Sequence, residues 1–343
     1  MAIKSSGSPL SFSEIESEFG TNNSRSLGNY RVSQTVGSLS NKPLDTGIPQ
    51  SGSISFSQFY DKRLNVVVDF HTGGTVSRVN AKNRYNNNRV TVIGGFRGKK
   101  EAGSKILIHV NKTIGSAKGN QANVALRTGS WNSDVVLSVD IGSSGRLYGA
   151  GGDGGKGADS WSDGGSQNGG SGGNGTSALG IEHEETAVNV QSGGKIHAGA
   201  PGGGGGAGAR QVDSGADRSG CGGGGGGGAG LPAGNGGEAG RRRSGEADEV
   251  QNGTGGSAGQ LEENGEGGVG GNNRNEAIGA NGGRGGDFNG ETAQGGNGGK
   301  NLDSANGSAG SNGSAIRRSS GSIQVDITNA GAIHGGTNDI GIA

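Results

Sequence analysis

The sequence predicts a mostly β chain with little helix: a small β-sandwich followed by a glycine-rich sandwich of packed polyglycine-II-type helices. Three observations carry this expectation. Glycine recurs every third residue through residues 142–313, as at Gly151, Gly154 and Gly157 and again at Gly307, Gly310 and Gly313. Upstream, residues 64–141 hold short valine- and isoleucine-rich runs separated by turn residues. Only 28% of the 343 residues are hydrophobic and 4% aromatic, too few for a conventional core throughout, so much of the fold must rest on backbone hydrogen bonds.

The glycine region is ordered by its period. A three-residue repeat is the pitch of the extended left-handed helix, which rises about 3.1 Å per residue and makes no internal hydrogen bonds. Its donors and acceptors must find partners on neighbouring helices, and only glycine lets backbones approach that closely. Gly-Gly-x units such as Gly282-Gly283-Arg284-Gly285-Gly286 and the pure runs 202–206 and 222–228 fit this scheme. Flexible linkers share the composition but not the strict period. Collagen needs abundant proline, and only Pro201 and Pro232 lie here. A calcium-binding β-roll fits one imperfect copy, where Asn289 takes the apolar position.

Residues 1–63 carry a short repeat. Leu10-Ser11-Phe12-Ser13-Glu14-Ile15 matches Ile54-Ser55-Phe56-Ser57-Gln58-Phe59. Ser13 with Glu16 predicts a capped helix start, Ile15 and Phe19 share one face, and Gly20 stops the helix. The polar stretch between the copies suits a segment that docks on a partner, or winds around its own copies, rather than folding alone.

Within residues 64–141, strands are expected at 65–70, 89–93, 105–110 and 123–127. A longer repeat follows: alternating strands at 135–141, 186–190 and 323–327 lead into Gly145, Gly194 and Gly331, each followed by a second apolar alternation. Aligned on the glycine, Tyr148, His197 and His334 share one position. These copies are expected to pair or stack, with the last closing the region 142–343.

Function classes narrow from there. Thirty basic and thirty acidic residues cancel, which argues against nucleic-acid binding. The single cysteine, Cys221, suits synthesis in a reducing compartment, and neither a signal peptide nor a membrane span is evident. His71, His109, His183, His197 and His334 show no metal-ligand spacing. Glu182, Glu184 and Glu185 around His183 read as an exposed loop rather than acid–base groups. No catalytic residue, metal or cofactor is expected.

The polar excursions between glycine runs are the turns at the ends of the stack, where a rigid scaffold concentrates binding residues. Trp161 suits stacking on a sugar or packing on a protein. Arg241, Arg242 and Arg243 suit anionic surface sugars, and Arg274 lies in a comparable excursion.

The segment from Gly145 to Gly152 with its preceding strand, and the glycine runs separated by polar loops, resemble the glycine-rich domains of tailed-phage tail-fibre proteins, in particular the distal tail-fibre adhesins of T-even-like phages. The resemblance covers about half the chain. It implies a sandwich of polyglycine helices whose loops bind a host polysaccharide or outer-membrane protein. The chain would then belong to the virion tail after synthesis in the host cytoplasm, with residues 1–63 contacting other tail or baseplate proteins. A homotrimer and a monomer both stay open. The competing expectation is a purely structural part: fibre shaft, neck or baseplate component. A surface-polysaccharide depolymerase would want a longer β-helical body and a carboxylate cleft.

Overall fold

The computed structural model describes residues 3–21, 23–31, 47–70, 76–161, 165–213, 216–243, 250–273, 277–288 and 292–343. Its β structure is built of coils, each giving one strand to each of three sheets. The first coil holds β1 (Asn65–Phe70), β2 (Val76–Ser77) and β3 (Val79–Asn80), followed by helix α2 (Ala81–Asn86; α1, Phe12–Phe19, precedes it) and β4 (Thr91–Ile93). The second holds β5 (Lys105–Val110), β6 (Thr113–Gly115) and β7 (Leu126–Arg127). The third starts with β8 (Val136–Ile141) and β9 (Arg146–Tyr148), leaves the body through β10 (Ser160–Trp161) and β11 (Gly165–Ser166), and returns as β12 (Leu179–Ile181). The fourth starts with β13 (Thr186–Val190) and β14 (Lys195–His197). It then makes the longest excursion, through β15 (Ala209–Asp213), β16 (Ala216–Gly220), β17 (Arg242–Arg243), β18 (Val250–Gln251), β19 (Asn272–Asn273) and β20 (Ala277–Ile278), before β21 (Ile316–Arg318). The fifth is β22 (Val325–Asn329), β23 (Ala332–His334) and β24 (Asp339–Ile340).

The three body sheets run β22-β13-β8-β5-β1-β4, β2-β6-β9-β14-β23 and β24-β21-β12-β7-β3. Every pairing in them is parallel except β1 with β4. They enclose one core, to which the first sheet gives Val68, Ile108, Val139 and Val188, the second Leu147 and Ile196, and the third Leu126, Leu179 and Ile316. This is a short parallel β-solenoid, in which each coil buries its apolar side chains only against its neighbours. The expected fold class therefore holds only at its coarser level, mostly β with little helix: the regular structure lies in largely parallel sheets, not in a sandwich of polyglycine helices. The small sandwich over residues 64–141 is corrected: β1 and β5 lie side by side in parallel as successive coils, β4 pairs antiparallel with β1 at the edge, and β7 belongs to another sheet. Regular turn spacing follows from coil length as readily as from hairpin length.

The repeat aligned on Gly145, Gly194 and Gly331 is the coil repeat. Lys195 pairs with Arg146 and with Ala332, so Tyr148, His197 and His334 form one column of the second sheet. In the first sheet Val188 faces Val139 but also Ile327, a slip of two residues from the sequence alignment. A shift of two keeps every side chain on its own face, so the core tolerates it.

The first sheet is buried on both sides near its N-terminal edge. Val66 and Val68 face the solenoid core, whereas Val67 and Leu107 meet a second cluster with Ile15, Phe19, Tyr30 and Phe59. Residues from the first 63 thus dock on this chain's own sheet. Helix α1 is capped by Ser11 in a capping box with Glu14, two residues before the expected Ser13 and Glu16. The second copy repeats the device, with Ser55 and Gln58 opening a 3₁₀ turn at Phe56–Phe59. Gly20 ends α1 at φ 95°, a left-handed value that glycine adopts without strain. No helix among the described residues is long and apolar enough to cross a membrane.

Between coil strands lie extended runs at 149–158, 167–178, 198–208, 221–230, 233–241, 252–260, 264–271, 279–288, 292–300 and 304–315, with no regular strand or helix beyond isolated bridges. Their hydrogen bonds go sideways. From the run 221–230, Gly222, Gly225 and Gly228 donate to Ala158, Gly155 and Gly152. Gly223, Gly226 and Ala229 donate to Ala280, Gly283 and Gly286, and Gly224 and Gly227 donate to Thr254 and Ser257. The same run accepts from Gly203, Gly237 and Gly268, which lie on three further runs. Six neighbours leave no direction for a side chain, which explains seven consecutive glycines at 222–228. The run 198–208 is surrounded in the same way, through bonds to Gly155, Gly170, Gly226, Gly283, Gln294 and Gly307, and is the other pure glycine run. At the periphery one position in three is open, and there the chain places Asp153, Glu238, Glu266 or Val269. Cys221 sits buried in the central run as a free thiol.

Candidate functional site

The glycine runs alternate in direction, so their connections collect at two poles. The near pole abuts the solenoid. The far pole carries three small sheets: β11-β10-β17, β15-β16-β18 and β19-β20.

At the far pole Asp159 organises the approach of separate excursions. Its buried carboxylate accepts from the Arg241 backbone N–H at 2.9 Å and from Lys156 Nζ at 2.9 Å. The Ser160 hydroxyl donates to the Gly220 carbonyl at 3.2 Å. The Arg242 N–H donates to Asn252 Oδ1 at 2.9 Å. Strand β17 is thereby held beside β10 in parallel register, Ser160 opposite Arg242 and Trp161 opposite Arg243. Two candidate residues that are 82 positions apart in the sequence are thus paired across neighbouring strands. Arg241 is exposed and Arg242 half-buried. Arg274 falls outside the described residues, in the connection between β19 and β20.

The polar excursion after the run 198–208, expected as a turn, forms a hairpin. Gln211 belongs to the hairpin β15–β16, in which it pairs with Arg218. Arg210 donates its backbone N–H to the Asn301 carbonyl, and bridges join Ala209 to Leu302 and Ile278 to Lys300. Leu302 is 40% exposed at this pole.

The near pole is chemically different. Tyr148 donates to Glu262 Oε1 at 2.6 Å, and Lys195 binds the same oxygen at 2.5 Å. Lys195 and then Tyr148 hold the Glu262 carboxyl below its usual range. Burial, then Glu262, pushes the Tyr148 hydroxyl up. His197 lies buried beside Tyr148, Phe288 and His334, and neither of its ring nitrogens has a hydrogen-bond partner among the described residues. Burial first, then the nearby His334 and Lys195, lowers it from 6.5 to about 4. In the unfolded chain the ring binds its proton at the higher value. His197 therefore imposes no penalty above pH 6.5, and stability falls as pH drops from 6.5 towards about 4. His197→Leu is expected to keep stability at pH 7 and to flatten the loss across that window, as read by denaturant titrations at stepped pH.

The remaining histidines are placed by the body. His183, expected in an exposed loop, is buried, its Nε2 3.0 Å from the Val135 carbonyl, while Glu184 and Glu185 are exposed. His109 lies between Asp69 and Asp140 in the first sheet. His71 is outside the described residues. Among the described residues no group of three or more His, Cys, Asp or Glu is placed to hold a metal ion. No family model, curated protein or solved structure matches the chain.

Proposed function

We propose that this chain is a tail-fibre adhesin of a tailed phage, in which glycine runs packed as polyglycine-II-type helices hold receptor-binding loops at the pole far from the solenoid. The observation that carries the reading is the convergence at that pole. Excursions starting from different runs are pinned by Asp159 and Ser160 so that Trp161 and Arg243 become cross-strand neighbours. The three-way donation of the run 221–230 at a three-residue period supports the helix-packing part. Backbone bonds on several sides hold each run in place, and binding residues concentrate on connections held by such a scaffold. The ligand class is a bacterial-surface polysaccharide or outer-membrane protein.

Attachment to other virion proteins is assigned to residues 1–63 and their neighbourhood. Their deepest anchors, Ile15, Phe19 and Phe59, are spent on the first sheet. Phe56 at 39% and Phe96 at 54% exposure remain for a partner, each edge-to-face with a ring of the underlying cluster.

The test is binding of the fluorescently labelled full chain to cells that a phage carrying this protein infects. A variant with Trp161, Arg241, Arg242 and Arg243 replaced by serine runs beside it. Saturable binding that falls at least about tenfold in the variant is expected, since central aromatic and arginine side chains dominate such interfaces. No binding to those cells would overturn the adhesin reading in favour of a structural virion component. Binding unaffected by the replacements would move the receptor site away from this pole.

A further inference from the structure

The near pole contains a notch that the solenoid repeat creates by omission. In the third and fourth coils the corner after the second-sheet strand opens into glycine runs. In the fifth coil residues 335–338 turn directly from β23 to β24. Nothing therefore projects from that corner to cover the flank of the lattice. The space left is about 170 Å³, lined by Ala198, Ala200, Asp287, Phe288, Asn312 and His334.

The lining has two characters. Phe288, Ala198 and Ala200 make an apolar wall, which continues inward through the stacked rings of Phe288 and Tyr148. Asp287, Asn312 and His334 bring a carboxylate, an amide and an imidazole to the same small space. Directly behind this wall sits His197, its ring 4.8 Å from Phe288 and 4.4 Å from His334, buried and with neither nitrogen partnered among the described residues. Buried polar atoms are rarely left so.

We propose that this notch binds a single neutral pyranose ring. A sugar ring has an apolar C–H face, suited to the Phe288 wall, and a rim of hydroxyls that both donate and accept. The carboxylate accepts from such hydroxyls, while the amide and imidazole do both. The carboxylate also disfavours an acidic sugar through like-charge repulsion. The volume is below the roughly 300–1,000 Å³ of sites for drug-sized ligands, which restricts the occupant to one ring. The notch stands apart from the far-pole receptor site and does not depend on it.

The experiment uses the folded full chain and three probes: methyl α-glucopyranoside, methyl β-galactopyranoside and N-acetylglucosamine. Saturation-transfer NMR detects binding, and imidazole ¹H–¹⁵N spectra locate it among the five histidines. Saturable binding of at least one probe in the millimolar range is expected, with shifts confined to His197 and His334. Asn312→Ala and His334→Ala, both at exposed positions, are each expected to weaken it at least about threefold while leaving the melting temperature unchanged. Absence of transfer to all three probes overturns the proposal. So does binding that leaves the His197 and His334 signals unmoved or survives both substitutions at full strength.

Discussion

Gly225→Ala is expected to cost more than about 3 kcal/mol or to prevent folding altogether, placing it at or beyond the usual range for overpacking. A Cβ at this position would clash with the Gly203 carbonyl oxygen and its carbon. The clash is with backbone, so no rotamer change relieves it. Gly203 itself donates to the Gly226 carbonyl at 2.8 Å, and Gly225 donates to the Gly155 carbonyl at 2.7 Å. Moving either run apart stretches bonds on both sides, and the neighbours beyond them are held in the same way. The informative contrast lies in one peripheral run. A Cβ at Gly268 meets the Thr254 carbonyl oxygen, whereas Val269 is 61% exposed. Gly268→Ala is expected to destabilise, and Val269→Ala to stay within about 0.5 kcal/mol of the parent. Equilibrium denaturation of the three variants checks the claim. A mild Gly225→Ala would mean that the runs can separate without cost, and the rigid lattice would have to be abandoned.

The same geometry shows how much was legible beforehand. The glycine period carried the spacing and sideways bonding of the runs, because glycine is demanded wherever backbones meet and released wherever they do not. The pure runs 202–206 and 222–228 even marked the two interior positions. What could not be read was direction in the body sheets. Alternation at 136–141 and 186–190 is the same for parallel and antiparallel neighbours, since the side-chain period is two in both. The continuous apolar stretches Val66-Val67-Val68 and Ile106-Leu107-Ile108 did carry a signal that was passed over: strands covered on both faces read this way. They foretold a layer on the outer surface, which residues 3–63 supply through Ile15, Phe19 and Phe59. The candidate tip was half legible. Trp161 and the arginines could be singled out by residue type, but their adjacency depends on Asp159 and Ser160 gripping a segment 82 residues away. The near-pole notch had no sequence signal beyond the shared position of Tyr148, His197 and His334, because it arises from an excursion the fifth coil lacks.

The second large effect is expected at Asp140, on the outer face of the first sheet. Its carboxylate is 3% exposed and gathers groups from three successive coils. Oδ1 accepts from Asn189 Nδ2 at 2.6 Å, and Oδ2 accepts from Gln191 Nε2 at 2.7 Å and lies 3.7 Å from His109 Nε2. The other ring nitrogen of His109 is 3.2 Å from Asp69 Oδ1. The parallel register makes this ladder possible, since Asp69, His109, Asp140 and Asn189 are direct cross-strand neighbours. Asp140→Ala leaves the Asn189 and Gln191 amides without their acceptor and removes the second carboxylate beside His109. Breaking a buried charged network on one side typically costs about 3–5 kcal/mol, and a loss of that size is expected in urea denaturation. Asn189→Ala removes only one donor and is expected to cost about 1 kcal/mol. The double variant should fall short of the sum, because the Asn189 amide cannot be orphaned twice. Strict additivity would show that the carboxylate is satisfied elsewhere, and that the coils are held in register by the apolar columns alone.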